Sequence, residues 1–173
     1  MITHMNDFNL RAMSLADADA VVTLYRAVAA VPGSGLARQG DEISQEYIEA
    51  FLRRALIGGV SLGAILGDTL MGEIHATQIG PRQFAHVLTD LTIAVHPDVQ
   101  GRGVGSRLFA ALFENAAQFV PRTTRIELVA RSGNTAALRL YERLGFKAEG
   151  CFLGRVQLPD GRIENDMPMA RLL

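Results

Sequence analysis

LTIAVHPDVQGRGVGSRLF, residues 91–109, joins an apolar run to three glycines on alternate positions ahead of a helical pattern. Residues 87–95 read as a strand stopped by His96-Pro97. Residues 104–119 read as a helix, with Leu108, Phe109, Leu112, Phe113, Ala116 and Phe119 inward and Arg107, Glu114 and Gln118 outward. A helix N-terminus presents unpaired backbone N–H groups and a partial positive charge, so a strand ending just before one makes an anion site. Gly101, Gly103 and Gly105 let that backbone approach a phosphate without a Cβ in the way. Arg102 and Arg107 stand at the rim to add charge-assisted bonds. The competing reading is a glycine turn that merely packs a helix tightly on a strand.

Spacing removes two phosphate motifs. A Walker A loop needs Gly-Lys-Ser/Thr, which the chain lacks. A dinucleotide fingerprint needs Gly-x-Gly-x-x-Gly opening a βαβ unit, whereas here the spacing is Gly-x-Gly-x-Gly and hairpins precede the strand.

Working outward, residues 8–13 read as a short strand, and a helix follows with Val21, Val22, Leu24, Tyr25 and Val28 at helical spacing up to Pro32. Residues 32–42, with three glycines, read as a mobile loop. A second helix from Ser44 carries Tyr47, Ile48, Phe51, Leu52 and Leu56 and ends at Gly58-Gly59. Strands at 60–66 and 70–79 flank the hairpin signal Gly67-Asp68-Thr69. Residues 125–130 form a strand, 134–144 a helix closed by Gly145, and 146–158 with 163–172 a final hairpin turned at Pro159-Asp160-Gly161. The order β α α β β β α β α β β, hairpins plus two strand-to-helix crossovers, predicts an α/β (α+β) fold: one mixed sheet flanked by helices on both faces.

Composition narrows the function. At 173 residues, 49% hydrophobic and 20% charged, the chain reads as one globular domain over residues 1–173. No apolar run approaches a membrane span, and MITHMNDFNL does not read as a secretory signal, so the expected location is cytoplasmic, with no membrane partner. Net charge is −1 and the 16 arginines and one lysine are scattered, which argues against nucleic acid. The single cysteine, Cys151, makes no internal disulfide and reads as a packed small side chain. His4, His75, His86 and His96 show no metal-ligand spacing, so no metal is expected.

Two motifs together resemble a known family. Gln100-Gly101-Arg102-Gly103-Val104-Gly105 matches the Q/R-x-x-G-x-G/A pyrophosphate loop of the GCN5-related N-acetyltransferases (GNAT), and Asn134-Thr135-Ala136-Ala137-Leu138-Arg139-Leu140-Tyr141-Glu142-Arg143-Leu144-Gly145-Phe146 resembles their N-x-x-A-x-x-L-Y-x-x-x-G-F motif. The ending FLGRVQLPDGRIENDMPMARLL is similar to bacterial amino-acid and phosphinothricin-type members. The resemblance implies a splayed sheet with acetyl-coenzyme A as co-substrate between the strand ending at Val95 and the next. It assigns the pyrophosphate to Gln100, Gly101, Arg102, Gly103, Val104, Gly105 and Ser106. Ile93, Ala94 and Val95 would take the pantetheine arm, with Asn134 and Tyr141 on the opposite wall.

In the chemistry so implied, a neutral amine attacks a thioester, and Tyr141 is the expected general acid. Asp90, with Glu73 or His75 on the neighbouring strand, is the candidate base or water-orienting group. The acceptor walls are the 32–42 loop and the final hairpin. Neither has an acidic cluster suited to a polyamine, which points to a small-molecule amine such as an amino acid, with Arg38, Arg82 and Arg155 as candidates to meet its carboxylate. A protein N-terminal acetyltransferase and a non-catalytic coenzyme A sensor are the alternatives, and the family resemblance also implies a homodimer.

Overall fold

The computed structural model describes residues 8–173, so the N-terminal segment read for a signal, with His4, lies outside the described residues. Eight strands form one sheet: β1 (Asn9–Ala12), β2 (Gly59–Leu66), β3 (Thr69–Gln78), β4 (Val87–Val95), β5 (Arg125–Arg131), β6 (Lys147–Ala148), β7 (Phe152–Gln157) and β8 (Ile163–Leu172). Their spatial order is β1-β2-β3-β4-β5-β8-β6, with β7 also pairing β8. The β4–β5 pair is parallel and every other pair antiparallel. That one parallel pair follows from the helical crossover between its strands, because a parallel neighbour cannot be reached by a tight turn.

The helices are α1 (Ala18–Ala29), α2 (Gln45–Gly58), α3 (Val104–Ala116) and α4 (Thr135–Arg143). The sheet separates two cores. On one face Val21, Leu24, Tyr25 and Val28 of α1 meet Ile48, Phe51 and Leu52 of α2. On the other, Leu108, Phe109 and Leu112 of α3 pack on Leu62, Ile74, Leu88, Leu91 and Ile126. The expected mixed sheet with helices on both faces is the architecture found. Buried apolar spacing also explains the boundaries: α2 opens where Ser44 Oγ accepts the Tyr47 N–H at 3.1 Å, an N-cap bond that satisfies one orphan donor.

Three expectations change. The strand expected over 146–158 is two pieces, β6 and β7, both laid along β8. Residues 150 and 151 between them leave the ladder, although the Glu149 N–H still donates to Pro168 O at 2.9 Å, and Cys151 is exposed rather than packed. The 32–42 loop, expected to be mobile, is tied down: the Arg131 guanidinium at the end of β5 donates to Gly33 O at 3.2 Å and Ser34 O at 2.7 Å, and bridges to Glu164 at 3.0 Å. No helix among the described residues is long and apolar enough to cross a membrane.

Candidate active site

β4 and β5 pair only at Val87–Arg125 and Leu88–Ile126. Beyond that point each strand is paired on its outer edge, β4 to β3 and β5 to β8, while the inner edges diverge. A diverging inner edge exposes backbone donors and acceptors that an extended ligand can pair with as an added strand.

The divergence coincides with a bulge. His75 faces Thr92 and Thr77 faces Thr89, so Asp90 and Leu91 together oppose Ala76. Asp90 takes φ 53°, the left-handed region, which Asp and Asn tolerate better than other non-glycine residues. A bulge sends two consecutive side chains to one side. Thr89 and Asp90 both line the cleft, Leu88 stays in the α3 core, and Leu91 packs in that core while also lining the cleft. The bulge thus brings Thr89 and Asp90 together on the cleft side.

The glycine stretch closes one end of the cleft. A cavity of about 610 Å³ is lined by Ile93, Val95, Gln100, Gly101, Gly103, Val104, Gly105 and Ser106 on one side and Asn134, Leu140 and Tyr141 on the other. Gly101 and Gly103 have φ 76° and 79°, and a Cβ on either would meet nothing within 4 Å, so these positions are glycine for conformation, with open space in front of the backbone. The bond from Arg107 N–H to Gly103 O, 3.1 Å, is the first of α3. The N–H groups of Val104, Gly105 and Ser106 therefore lack intrahelical partners and carry the positive end of the helix dipole. This cradle fits a pyrophosphate. Gln100 Nε2 donates to Val95 O at 3.2 Å, bracing the loop against the strand.

Arg102, expected at the rim of the cradle, does not line it, and the backbone of Ala94, expected to meet the arm, is what that residue offers. Arg102 sits with its guanidinium 5.4 Å from the Phe8 ring, and neither it nor Arg107, which donates to Phe8 O at 2.9 Å, lines this cavity. Ala94 has its side chain buried against α1 and α2, so only its backbone is offered to the cleft. Asn134 caps α4, its Oδ1 accepting the Ala137 N–H at 3.3 Å, and still lines the cavity.

Tyr141 stands where this cavity and a second one of about 500 Å³, under the 32–42 loop and the β7–β8 hairpin, share their lining. Phe109 and Phe146 hold its ring edge-on at 5.8 and 6.1 Å. Burial pushes the phenol up to about 12, because the phenolate would lose its hydration.

At the bulge, a third compartment of about 550 Å³ gathers Arg38, Tyr47, Arg54, His75, Asp90 and Thr92. The Arg38 guanidinium lies 4.0 Å above the Tyr47 ring. Arg38 and Arg54 have no carboxylate partner among the described residues. Arg125 at its floor is engaged by Glu127 at 2.6 Å and by Glu149. Arg82 and Arg155 do not line these cavities. Arg82 begins a turn after β3; Arg155 sits 3.7 Å from Asp166 and 4.7 Å over Phe152.

Glu73 does not face the cleft. It is wholly buried, its carboxylate accepting from Tyr25 Oη and Ser61 Oγ, each at 2.7 Å. Beside it His75 does reach the cleft. Tyr25, Ser61, Tyr47 and Arg54 were not singled out as site residues by sequence reasoning. The available signal was Glu73-x-His75 within an otherwise apolar strand, since two ionisable groups on one buried face require partners. Among the described residues no group of His, Cys, Asp or Glu could hold a metal ion.

Comparison with known proteins agrees with this geometry. The model of the acetyltransferase (GNAT) family matches residues 32–146. N-alpha-acetyltransferase RimI of Mycobacterium tuberculosis is 37% identical over 89 residues, 51% of this chain and 52% of that protein. The chain thus spans about half of RimI and a smaller share of the other curated relative it matches. Among solved structures, a GNAT-family acetyltransferase from Streptococcus pneumoniae superposes with TM-score 0.85 at 23% identity, covering 96% of this chain and all of that one. A phosphinothricin acetyltransferase from Sinorhizobium meliloti, crystallised with AcCoA, gives TM-score 0.81 at 20% identity, covering 97% of this chain and 89% of that one. At these identities the superpositions speak for the fold. Glycine cradle, splayed strands and family model agree, and the chain belongs to the acetyltransferase (GNAT) family.

Proposed function

We propose that this protein transfers an acetyl group from acetyl-coenzyme A to the primary amine of a small amino acid or close analogue. The observation that supports the reading is the pairing of two cavities along the splayed strands: an anion cradle at residues 101–106, and, beyond the bulge, Asp90 with Arg38 and Arg54, which have no carboxylate partner among the described residues. Acetyl-coenzyme A supplies an acetyl group already activated as a thioester. The N–H groups from Gly101 to Ser106 hold its pyrophosphate, and the free inner edge of β4 at Ile93, Ala94 and Val95 takes the extended arm. Asn134 meets the arm from the α4 side. A backbone N–H near Val95 polarises the thioester carbonyl as its oxygen gains charge. Tyr141, protonated at working pH, gives its proton to the departing sulfur.

At the acceptor end, Asp90 attracts the ammonium and the two arginines meet the carboxylate. Replacing Arg38 and Arg54 by Ala is expected to raise KM for an amino-acid acceptor by about tenfold per arginine. KM for the same amine without its carboxylate should stay unchanged in steady-state thiol-release assays. Asp90→Asn keeps the left-handed preference and removes only the charge, so its expected signature is about a tenfold higher acceptor KM at unchanged melting temperature. A lower melting temperature would show that the carboxylate serves the bulge instead.

A second acceptor, a protein N-terminus, is favoured by the likeness to RimI. Free amino acids and short peptides assayed side by side for thiol release separate the two. Free amino acids should react and peptides should not; the reverse order replaces this proposal, and no release from either ends it.

A further inference from the structure

Behind the bulge, four buried side chains from three elements, Tyr25, Ser61, Glu73 and His75, close on one another. Glu73 is 0% and His75 3% exposed. Ser61 Oγ donates to Glu73 Oε1 and Tyr25 Oη to Oε2, both at 2.7 Å, while His75 Nδ1 lies 3.1 Å from Oε2 and 3.3 Å from Tyr25 Oη. A carboxylate only accepts, and the tyrosine's single hydrogen is spent on the shorter contact, so Nδ1 must be the donor and carry the ring proton. In the neutral ring the network therefore sets the tautomer, with the proton on Nδ1 and the lone pair on Nε2.

Where that lone pair points follows from two further facts. No group among the described residues bonds to Nε2, yet Thr123 Oγ1 is the buried polar side-chain atom found among them without a partner. Nε2 is thus not sealed in, and His75 lines the same compartment as Asp90, Arg38 and Arg54. The ring is held there by a stack on Phe51 with centroids 3.8 Å apart and planes 11° from parallel. A buried carboxylate with three donors, an imidazole locked face-on, and one nitrogen open to the acceptor compartment are more than packing requires. An apolar side chain at each position would avoid desolvating a charge.

We propose that His75 Nε2 is the proton acceptor for the incoming amine, and that Glu73 is a positioning residue that fixes its tautomer and stabilises the imidazolium. This rests on the acetyl-transfer reading above. In the step, the acceptor's ammonium N–H bond breaks and its proton joins Nε2, while Nδ1–H stays on Glu73. The freed nitrogen pair forms the C–N bond as the C–S bond breaks, and the sulfur takes the Tyr141 proton. The new amide nitrogen gives its second proton to the tyrosinate, and the imidazolium loses its proton to solvent, for a net release of one proton with amide and thiol. Asp90, exposed on the bulge, is left to bind the ammonium.

The test has a spectroscopic and a kinetic arm. In 15N NMR of the ligand-free protein at pH 8, His75 should carry its proton on Nδ1, with Nε2 unprotonated and shifted on adding an acceptor analogue lacking the amine. His75→Gln should lower kcat by about 10²- to 10⁴-fold, with acetyl-coenzyme A Kd and acceptor KM changed less than about threefold. Glu73→Gln should move the proton to Nε2, because a glutamine amide can donate to Nδ1, and should lower kcat about tenfold or more. Should Glu73→Gln not fold, the wild-type NMR arm still decides. A wild-type proton on Nε2, or a His75→Gln enzyme with kcat within threefold of wild type, overturns the assignment alone. A wild type that turns over no amine overturns the acetyl-transfer reading and this one with it.

Discussion

Gly103→Val should abolish acetyl-coenzyme A binding while the protein still folds. Gly103 caps α3 in the left-handed region at φ 79°, and a Cβ built there meets nothing within 4 Å. The side chain would project into the volume left for a pyrophosphate and push the anion off the N–H groups behind it. Charge-assisted bonds are worth about 1.5–3 kcal/mol each, so losing two weakens binding by roughly 10²- to 10⁴-fold. A β-branched residue at positive φ also strains the backbone by about 1–3 kcal/mol. The readout is therefore the ligand-induced melting shift, measured against the variant's own unliganded melting temperature. Gly105→Ala supplies a contrast. Its Cβ would make ordinary contacts with Ile93 at 3.7 Å and Leu140 at 3.8 Å, and inside α3 the exchange gains helix propensity of about 0.5–1 kcal/mol. If Gly103→Val binds acetyl-coenzyme A normally, the cradle has another purpose.

Tyr141→Phe is expected to lower kcat about 100-fold and leave the acetyl-coenzyme A Kd unchanged, because positioned acid catalysis contributes on that order. The ring's contacts with Phe109 and Phe146 survive the change, and its hydroxyl has no hydrogen-bond partner among the described residues, so stability should hold. The phenol near 12 alters the energetics of the step. Against a thiol of about 8.5, an ordinary phenol near 10 faces an uphill gap of roughly 2 kcal/mol, whereas one near 12 faces roughly 5. Complete transfer ahead of C–S cleavage is correspondingly disfavoured, and the proton must move as the sulfur leaves. The sign for pH is definite. Ionisation removes the donor, and a pKa raised by burial puts that loss above pH 10. Between pH 7 and 10, wild-type kcat should show no falling limb from Tyr141, and Tyr141→Phe should lower the profile without changing its shape. Equal losses in kcat and cofactor affinity would remove Tyr141 from the acid role.

Most of the fold was legible because its elements bury continuous faces. The spacing of Val21, Leu24, Tyr25 and Val28 is that of one helical stripe, and each of these is buried in α1. The glycine stretch was legible locally as either an anion site or a tight packing turn, and the second motif at residues 134–146 chose between them by resemblance. The β6–β7 break escaped because its residues, Gly150 and Cys151, resemble an ordinary strand interruption, and pairing with β8 alone separates the pieces. Asp90's bulge escaped because an extra residue in a ladder is visible only against the partner strand.

Chain order, the glycine loop before α3 and the placement of Asn134 and Tyr141 on α4 and its cap were determined by the sequence itself, since each depends on neighbours within a few residues. Tertiary structure alone decided which charges meet. Glu73 and His75 stand two positions apart on one strand, and whether either faces a cleft or a core depends on Tyr25 and Phe51 arriving from α1 and α2. Arg102 lies over Phe8 and Arg155 beside Asp166, outside the described cavities, while Arg38 and Arg54 were brought to one compartment from a loop and a helix. Side-chain direction and pairing across tens of residues are set by packing, and no local spacing encodes them.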